Sequence, residues 1–338
     1  MGGHESREMS VSRERECMTN DIYMNSQTNK TGMWPNFFIV GASRAGTTTL
    51  YEYLRRVPQV YLPSIKEPRY FLARSIYEDI YGRTAVGNTK NYLDLFANSD
   101  ATVVGEATPE YLYHDSAAHK IREKVPHAKI IITLRNPISR AFSHYLLLKS
   151  LLNIEYSFDE MVKSEWANNK LDLGGSLRSP GIIECGFYSH GVSKYLELFG
   201  SDRIKIVIFD EWTKDAINTI NAILEFLNVN YKFDDSVAVQ KENAFRSYRR
   251  GNNFINSVMR KFTLIRRIYV RLPAFAHDSL KNIYHRQLSI RSSLFSSSPP
   301  HESIPNETRE LIRDIYWKDV KELERILGRK LPWQDFQT

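Results

Sequence analysis

One short segment constrains the fold of this chain more than any other feature: an apolar run, a turn of small residues and an amphipathic stretch follow one another directly. Residues 37–40 read FFIV, which is typical of a buried strand, and residues 47–57 repeat apolar side chains at helical spacing. The turn between them is GASRAG, residues 41–46. Such a unit gathers backbone N–H groups at the start of a helix, where the helix dipole also favours an anion. The segment therefore predicts a phosphate or sulfate cradle, with a tight turn and a hydroxyl N-cap as the simpler structural alternative.

The composition is that of a folded protein with a full-sized core. Of the 338 residues, 42% are hydrophobic and 25% are charged, which argues against a disordered chain and against a mini-protein held by metal or disulfides. Two cysteines, Cys17 and Cys185, are too few for a disulfide framework or a four-cysteine zinc site, and we expect no metal centre. A reducing compartment is the simpler expectation. No apolar run approaches the ~18 residues of a transmembrane helix.

Strands and helices alternate along the rest of the sequence. Apolar runs predict strands at 102–104, 129–134 and 204–209, and helical spacing predicts helices at 116–125, from Pro137, at 215–227 and at 306–327. This alternation is typical of a parallel sheet covered on both faces. We therefore expect an α/β fold, a P-loop-like central parallel sheet with helices on both faces. Residues 1–34 are expected to be a disordered lead-in, and 35–338 a single domain with a variable basic helical insert at about 240–300.

The side chains of the predicted cradle add donors to those of the backbone. Arg44 offers a planar fork of N–H groups, which suits phosphate and sulfate oxygens. Three consecutive threonines, at 47–49, add hydroxyls at the start of the helix. One loop that combines glycines, an arginine and three threonines has more donors than a helix cap requires.

Nucleotide triphosphatases and kinases are an alternative class of protein that contains such a loop. Its P-loop reads G-x-x-x-x-G-K-[ST], and here Thr47 occupies the lysine position, so the group that would reach the β- and γ-phosphates is missing. One feature favours this alternative. The predicted strand at 204–209 is followed by Asp210 and Glu211, as a magnesium-binding strand would be, although a strand leaving the sheet into a polar turn is the simpler interpretation.

At these residues the chain resembles the sulfotransferases that use 3′-phosphoadenosine 5′-phosphosulfate (PAPS). The 5′-phosphosulfate loop of that family reads G-x-x-[KR]-x-G-T-[TS], and GASRAGTTTL at 41–50 matches it. A second family motif, which binds the 3′-phosphate, places an arginine at the end of a strand and a serine eight residues later. Arg135 ends the KIIITL segment, and Ser143 follows it by eight residues.

Three further segments resemble the heparan-sulfate and carbohydrate branch of the family. KEPRYF at 66–71 resembles its EPxFF segment, and GEATP at 105–109 resembles its E-[KAS]-[TS]-P segment. The region from 185 to 199 resembles its G-x-Y helix before a strand. The resemblance extends from about Asn36 to Gln334 and departs from the branch at Arg44, where lysine is usual. Arginine can neutralise the bridging oxygen, but it does not donate a proton easily.

The resemblance implies roles for particular residues. Binding of PAPS, and of its product 3′-phosphoadenosine 5′-phosphate (PAP), is implied for Arg44, Ala45, Gly46, Thr47, Thr48, Thr49, Arg135, Ser143, Tyr188, Arg250 and Gly251. Arg44 would also stabilise the leaving oxygen, and Glu106 would be the general base, with a salt bridge to Arg44 as its alternative role. Tyr188 would lie near the adenine ring, with a core aromatic as the alternative. Lys66 and Arg69 would contact the donor sulfate or an acidic acceptor, unless they are ordinary surface charges.

A basic stretch carries more than the whole net charge of the protein. The chain has 46 basic and 39 acidic residues, a net charge of +7. The window 241–271 holds nine of the basic residues and one acid, Glu242, so it alone carries +8. At 252–272 apolar residues recur at helical spacing among arginines, so this stretch either packs on the core with a solvated basic side or contacts a membrane surface or an anionic glycan or glycolipid. No reading module accompanies the charge, so we expect no nucleic acid partner.

These patterns leave three hypotheses for the function. The first is a sulfotransferase that moves a sulfuryl group from PAPS to a hydroxyl or amine, with a carbohydrate or glycolipid as the acceptor that the resemblance favours. The second is a P-loop NTPase or kinase. The third is a non-catalytic anion-binding module on the same fold, which would not need a base such as Glu106. Since no N-terminal anchor is evident, we expect a cytoplasmic protein, with membrane association through 252–272 as a variant.

Overall fold

A computed structural model describes the chain over residues 33–72, 86, 88–97, 99–152, 156–167, 181–233 and 303–337. Within these residues five strands form one sheet: β1 (Phe37–Gly41), β2 (Val60–Tyr61), β3 (Val103–Ala107), β4 (Lys129–Leu134) and β5 (Ile204–Ile208). The strand order is β2-β3-β1-β4-β5, and every pairing is parallel. The connections reverse direction beside β1, and α/β sheets bind ligands outside the carboxyl ends of their strands at such a switch point.

Helices cover both faces of this sheet. In the described segments they are α1 (Thr47–Leu54), α2 (Thr89–Asp94), α3 (Asp115–Lys124), α4 (Pro137–Leu152), α5 (Phe158–Trp166), α6 (Ser189–Phe199), α7 (Phe209–Trp212), α8 (Ala216–Phe226) and α9 (Asn306–Leu327). Helices α1 and α8 share one hydrophobic cluster with the sheet, whereas α3, α4, α6 and α9 share the other. The predicted fold class, a P-loop-like central parallel sheet with helices on both faces, is confirmed.

The central strand shows why its sequence is apolar without alternation. Phe38 and Val40 face the cluster that contains α4 and α9, while Phe37 and Ile39 face the cluster that contains α1 and α8. All four side chains are fully buried. A parallel strand that is covered on both faces needs an apolar residue at every position. The unbroken apolar run at 37–40 is therefore explained by the central position of β1 in the sheet.

Several predicted elements agree closely with the structure, and others were missed. The predicted strand at 129–134 and the predicted helix at 306–327 match β4 and α9 to the residue. The short elements β2, α2 and α5 were not predicted. Residues 1–32 of the expected lead-in and the basic insert at about 240–300 lie outside the described residues. The last two residues of the expected lead-in, Met33 and Trp34, pack against the core, so the ordered part begins slightly earlier than predicted. Among the helices that the structure describes, none combines the length and the apolar character needed to cross a bilayer.

Helix α9 fixes the start of α6 with a buried carboxylate. Asp319 accepts hydrogen bonds from the backbone N–H groups of Tyr188 and Ser189, at 2.8 and 3.1 Å, and from the Ser189 hydroxyl. It therefore acts as an N-cap supplied from another helix, since it satisfies donors that would otherwise have no partner inside α6.

Replacing Asp319 with alanine is expected to lower the free energy of unfolding by about 2 kcal/mol, because a capping acceptor is lost and buried N–H groups stay unpaired. Urea denaturation measures this change. The matched control is Asp314→Ala on the same helix, since the 69% exposed carboxylate of Asp314 pairs only with the adjacent Arg313 among the contacts described. Equal losses in the two variants would contradict the capping role of Asp319.

Candidate active site

The loop after β1 places backbone donors at the start of α1. Gly46 is the residue before the helix and has a φ of 86°. A Cβ atom there would come within 2.7 Å of the Phe209 ring, so both the conformation and the space require glycine. Gly46 has no side chain to cap the helix. The N–H groups of residues 47–49, in the first turn of the helix, can therefore donate hydrogen bonds to an anion.

Neighbouring elements hold this loop in place. The Ala42 N–H donates to the carbonyl of Thr133 in β4 at 2.6 Å, and the Thr133 hydroxyl donates to the carbonyl of Gly41 at 3.1 Å. On the other side, the Ser43 N–H donates to the hydroxyl of Tyr113 at 3.0 Å. Tyr113 was not predicted as a site residue. It lies in a short 3₁₀ turn, 109–113, that follows the GEATP segment, and the sequence has no signal that it reaches the loop.

Three residues that are distant in the sequence meet at this loop. The guanidinium of Arg44 donates to the hydroxyl of Ser143 at 3.2 and 3.3 Å. Arg135, at the end of β4, donates to the carbonyl of Arg44 at 3.3 Å, and its guanidinium lies 4.8 Å from the centre of the Phe209 ring. The structure therefore brings together the predicted 5′ loop and the predicted arginine–serine pair.

Arg135 has spare hydrogen-bonding capacity in this position. Its Nε atom is buried and has no hydrogen-bond partner among the described residues. Burial lowers the pKa of Arg135 because a charged guanidinium loses hydration there. A buried donor without a partner is costly unless an acceptor arrives, so the chemistry of this donor fits an anionic ligand.

The remaining predicted donor-binding residues differ in their surroundings. Ala45 is fully buried, and its N–H donates inside the loop to the carbonyl of Ala42 at 3.2 Å. Thr47 is buried, whereas Thr48 is exposed. Arg250 and Gly251 lie outside the described residues, and so does the basic stretch 252–272.

Tyr188 lies in the core next to the backbone of Arg135, not on a surface that could contact adenine. Its side chain is fully buried, and its hydroxyl donates to the carbonyl of Arg135 at 2.9 Å. The core-aromatic alternative therefore describes its position, because a ring with no exposed surface is not available for stacking. Arg140 of α4 is also fully buried. It interacts electrostatically with Tyr188 and donates a hydrogen bond to the carbonyl of Ile182.

The two acids after β5 bind other parts of the protein. Asp210 accepts from the backbone N–H of Asn136 at 3.2 Å and from the indole N–H of Trp333 at 3.0 Å. Glu211 forms a two-pronged ion pair with Arg329, at 2.8 and 3.0 Å. Both acids therefore fasten the C-terminal segment to the sheet edge, which supports the simpler interpretation of this strand end.

The KEPRYF segment carries a compact network of opposite charges. Arg69 donates to Glu67 at 2.7 Å and to Glu110 at 2.5 and 3.0 Å, and Lys66 donates to Glu67 at 2.6 Å. Arg69 is only 5% exposed, so Lys66 and Arg69 are engaged with carboxylates inside the protein. Glu67 was not predicted as a site residue, although it lies in this segment. Its side chain keeps 19% of its surface exposed.

Glu106, the predicted base, lies in the interior. Its side chain is fully buried, and its oxygens accept hydrogen bonds from the Tyr92 hydroxyl and, at 2.7 Å, from the Thr108 hydroxyl. The Tyr111 hydroxyl interacts with the same carboxylate. Burial raises the pKa of Glu106 to about 7, and the three hydroxyls oppose that rise. The partners shown for Glu106 are thus hydroxyls, not Arg44.

Known proteins are similar to this chain in sequence and in fold. Residues 35–266 match the family model for the sulfotransferase domain. Membrane-associated sulfotransferase kil1 of Dictyostelium discoideum is 30% identical over 137 residues, which cover 39% of this chain and 28% of that protein. Carbohydrate sulfotransferase 15 of Rattus norvegicus is 24% identical over 250 residues, which cover 58% of this chain and 44% of that protein.

A solved structure has the same fold. The sulfotransferase from Alicyclobacillus acidocaldarius superposes with a TM-score of 0.59 at 24% identity, and the match covers 88% of this chain and 98% of that one. The matched region is less than half the length of the two relatives named above. Since the family model covers more than half of the chain, the chain belongs to the sulfotransferase family.

Proposed function

We propose that this protein transfers a sulfuryl group from PAPS to a hydroxyl or amine acceptor. The observation that carries the proposal is the meeting of Arg44, Ser143 and Arg135 at the start of α1. Sulfuryl transfer needs in-line positioning and stabilisation of charge rather than a covalent intermediate. An array of fixed donors beside a helix start is suited to both tasks.

Each donor has a distinct task in this proposal. The first-turn N–H groups and threonine hydroxyls at 47–49 hold the 5′-phosphate, and Arg135 with Ser143 holds the 3′-phosphate. Arg44 stabilises the negative charge that develops on the leaving oxygen. PAPS, when bound, supplies the sulfuryl group. The orphaned Nε of Arg135 supports its assignment to a phosphate, because an added acceptor would satisfy it.

Two carboxylates compete for the role of general base. Glu106 is the residue implied by the family resemblance, and its raised pKa suits proton transfer near neutral pH. A base must come within hydrogen-bond reach of the acceptor, so the hydroxyls around Glu106 must open when the acceptor binds. Glu67 is partly exposed, and its N–H donates to the carbonyl of Ala107 at the carboxyl end of β3, but its carboxylate is already paired with Lys66 and Arg69. We therefore propose Glu106 as the base, with Glu67 as the alternative.

The acceptor proposed is a carbohydrate or glycolipid. Support comes from relatives whose names state carbohydrate or heparan sulfate sulfotransferase activity. We also propose that residues 35–338 act as one domain, since α9 packs into the same hydrophobic cluster as α4 and α6. The cytoplasmic location and the membrane contact through 252–272 stay predictions from the sequence.

Replacing Arg135 with alanine is expected to weaken PAP binding roughly 10- to 100-fold, because a charge-assisted hydrogen bond of about 1.5–3 kcal/mol is lost. Isothermal titration calorimetry with PAP, and in parallel with ATP–Mg²⁺, measures the change in wild type and variant. The wild type should bind PAP tightly and ATP–Mg²⁺ weakly. Arg203→Ala is the matched control, because Arg203 directly precedes β5 at the amino ends of the parallel strands, whereas Arg135 follows β4 at their carboxyl ends.

Tight ATP–Mg²⁺ binding that is indifferent to Arg135 would contradict the proposed function and favour the NTPase or kinase alternative. In that case, Asp210→Asn should abolish the magnesium-dependent part of binding. PAP binding without any transfer to an acceptor would instead favour the non-catalytic module.

A further inference from the structure

The turn between β4 and α4 governs both residues that are assigned to the 3′-phosphate. Arg135 directly follows the last residue of β4, and Ser143 lies in the first half of α4. A helix is a rigid element once its first turn is fixed, so the start of α4 sets the position of Ser143. The placement of both side chains therefore depends on how the chain is held at this turn.

Asn136 caps α4 with one end of its side chain. Its Oδ1 atom accepts hydrogen bonds from the backbone N–H groups of Ile138 and Ser139, at 3.0 and 3.2 Å. Pro137 occupies the first helical position, where a missing N–H has no consequence. Asn136 therefore satisfies two donors of the first turn and fixes where the helix begins.

The other end of the same amide contacts the C-terminal segment, which we define as residues 329–336. The Nδ2 atom of Asn136 donates to the carboxylate of Asp335 at 2.9 Å. A carboxylate only accepts, whereas an amide has one donor end and one acceptor end. Asp335 therefore keeps the donor end on its own side and directs the amide oxygen to the helix. Asn136 is buried, so little water can compete for either end.

The peptide bond between Arg135 and Asn136 is also linked to this segment. Its N–H group donates to Asp210, which accepts the indole N–H of Trp333 as well. Its carbonyl accepts from the hydroxyl of Tyr188, whose ring lies 6.3 Å from the Trp333 ring, centre to centre. Both polar groups of this peptide bond are thus fixed, and each partner contacts the same tryptophan.

The C-terminal segment is itself anchored on α9 and on the core. Arg309 of α9 donates to Asp335 at 2.7 Å, and the Leu331 N–H donates to Glu324 at 3.0 Å. Three of its side chains are buried in the hydrophobic cluster that contains α4: Leu331, Trp333 and Phe336. A segment that is held in this way can restrain the turn that it contacts.

We propose that the C-terminal segment positions the 3′-phosphate site, with Asp335 as a positioning residue that acts through the Asn136 amide on Arg135 and Ser143. This inference rests on the proposed function for the identity of the ligand, but the restraint on the turn is measurable without a ligand. The preference for a nucleotide with a 3′-phosphate then depends in part on a carboxylate 199 residues further along the chain.

Calorimetry with two nucleotides tests this positioning, because PAP and adenosine 5′-monophosphate (AMP) differ only in the 3′-phosphate. In Asp335→Ala the affinity for PAP should fall roughly tenfold, the effect of one hydrogen bond to a charged group, while the affinity for AMP stays within about twofold. A general loss of structure would weaken both nucleotides alike. Arg309→Ala is the matched control, since it removes the ion pair of Asp335 but not the contact with Asn136. It should keep the wild-type preference for PAP.

Two further measurements show whether Asp335 acts through Asn136. In hydrogen–deuterium exchange of the full chain, the amides of Ile138 and Ser139 should exchange roughly tenfold faster in Asp335→Ala than in wild type, because the capping amide is free to turn. Asn136→Ser keeps a capping hydroxyl but has no amide that could contact Asp335. Adding Asp335→Ala to Asn136→Ser should therefore cause no further loss of PAP affinity. The amides of α3 are the internal reference for the exchange.

Equal losses of PAP and AMP affinity in Asp335→Ala would overturn the proposal, as would losses that multiply in the double variant or unchanged exchange at 138–139. If Asp335→Ala does not fold, Asn136→Ser decides the question, since it should lose the preference for PAP while AMP binds as in wild type. A wild type that binds PAP no more tightly than AMP would refute the proposed function. The exchange at 138–139 would then still decide whether Asp335 holds the turn.

Discussion

Replacing Arg44 with alanine is expected to lower kcat for sulfuryl transfer by roughly 10²- to 10³-fold, the usual effect of removing one donor that stabilises transition-state charge. Arg44 contacts Ser143 in the structure, so it is already within the group of residues assigned to the donor. The affinity for PAP should change much less than kcat, because the charge that Arg44 serves develops only as the bridging bond breaks. PAP release from PAPS measures the rate, and calorimetry measures the affinity.

Two controls separate the charge of Arg44 from the shape of the loop. Arg44 has a φ of 67°, so arginine, alanine and lysine all place a Cβ in the same left-handed conformation, and neither replacement adds that strain. Arg44→Lys should retain most of the rate, since the charge remains, while Ser43→Ala should stay near wild type because the Ser43 contact shown is made by its backbone N–H. An equal loss of PAP affinity and kcat in Arg44→Ala would contradict the assigned role.

The elements predicted correctly from the sequence are those whose buried residues follow a simple pattern. β4 and α9 match to the residue because an unbroken apolar run and a long 3.6-residue period leave little ambiguity. β3 was predicted only at 102–104, whereas it continues to Ala107. Its second half contains Gly105 and Glu106, and a glutamate in a strand buried on both faces contradicts the usual preference for exposed charge.

The predictions for the site were limited by contacts between distant residues. The order and spacing of Arg44, Arg135 and Ser143 were readable, because each belongs to a motif within one strand–turn–helix unit. The support given by Asp319 to the start of α6 comes from a helix 130 residues later in the chain. No local pattern encodes such a cap. The capping box of α5, Ser157 with Glu160, is by contrast a local signal that marks the start of this unpredicted helix.

The sequence alone did not predict how deeply each acidic residue near the site is buried. Glu67, Glu106 and Glu110 occur in motifs of similar appearance, yet Glu106 is fully buried among hydroxyls and Glu110 pairs with a nearly buried arginine. Burial raises the pKa of Glu110, and the charge of Glu67 adds to that rise. Exposure separates Glu106, which is fully buried, from Glu67 and Glu110, whose side chains keep 19% and 16% of their surface exposed, and only the folded chain reveals it.

Replacing Glu106 with glutamine is expected to lower kcat by roughly 10²- to 10⁴-fold, the range typical of losing a general base. Glutamine preserves the size of the side chain, and its amide oxygen can still accept from Tyr92 or Thr108, but it cannot take the acceptor's proton. The affinity for PAP should stay within about twofold. PAP release from PAPS in the presence of a carbohydrate acceptor measures kcat.

Glu110→Gln is the matched control, because Glu110 is a nearby carboxylate whose hydrogen bonds come from Arg69. It should lower the stability of the protein and change kcat by less than about tenfold, since Glu110 supports the KEPRYF segment without meeting the acceptor. A wild-type rate in Glu106→Gln, together with a large loss in Glu67→Gln, would give the role of base to Glu67. The role of Glu106 requires the hydroxyls around it to open during the reaction, because the carboxylate cannot otherwise reach an acceptor.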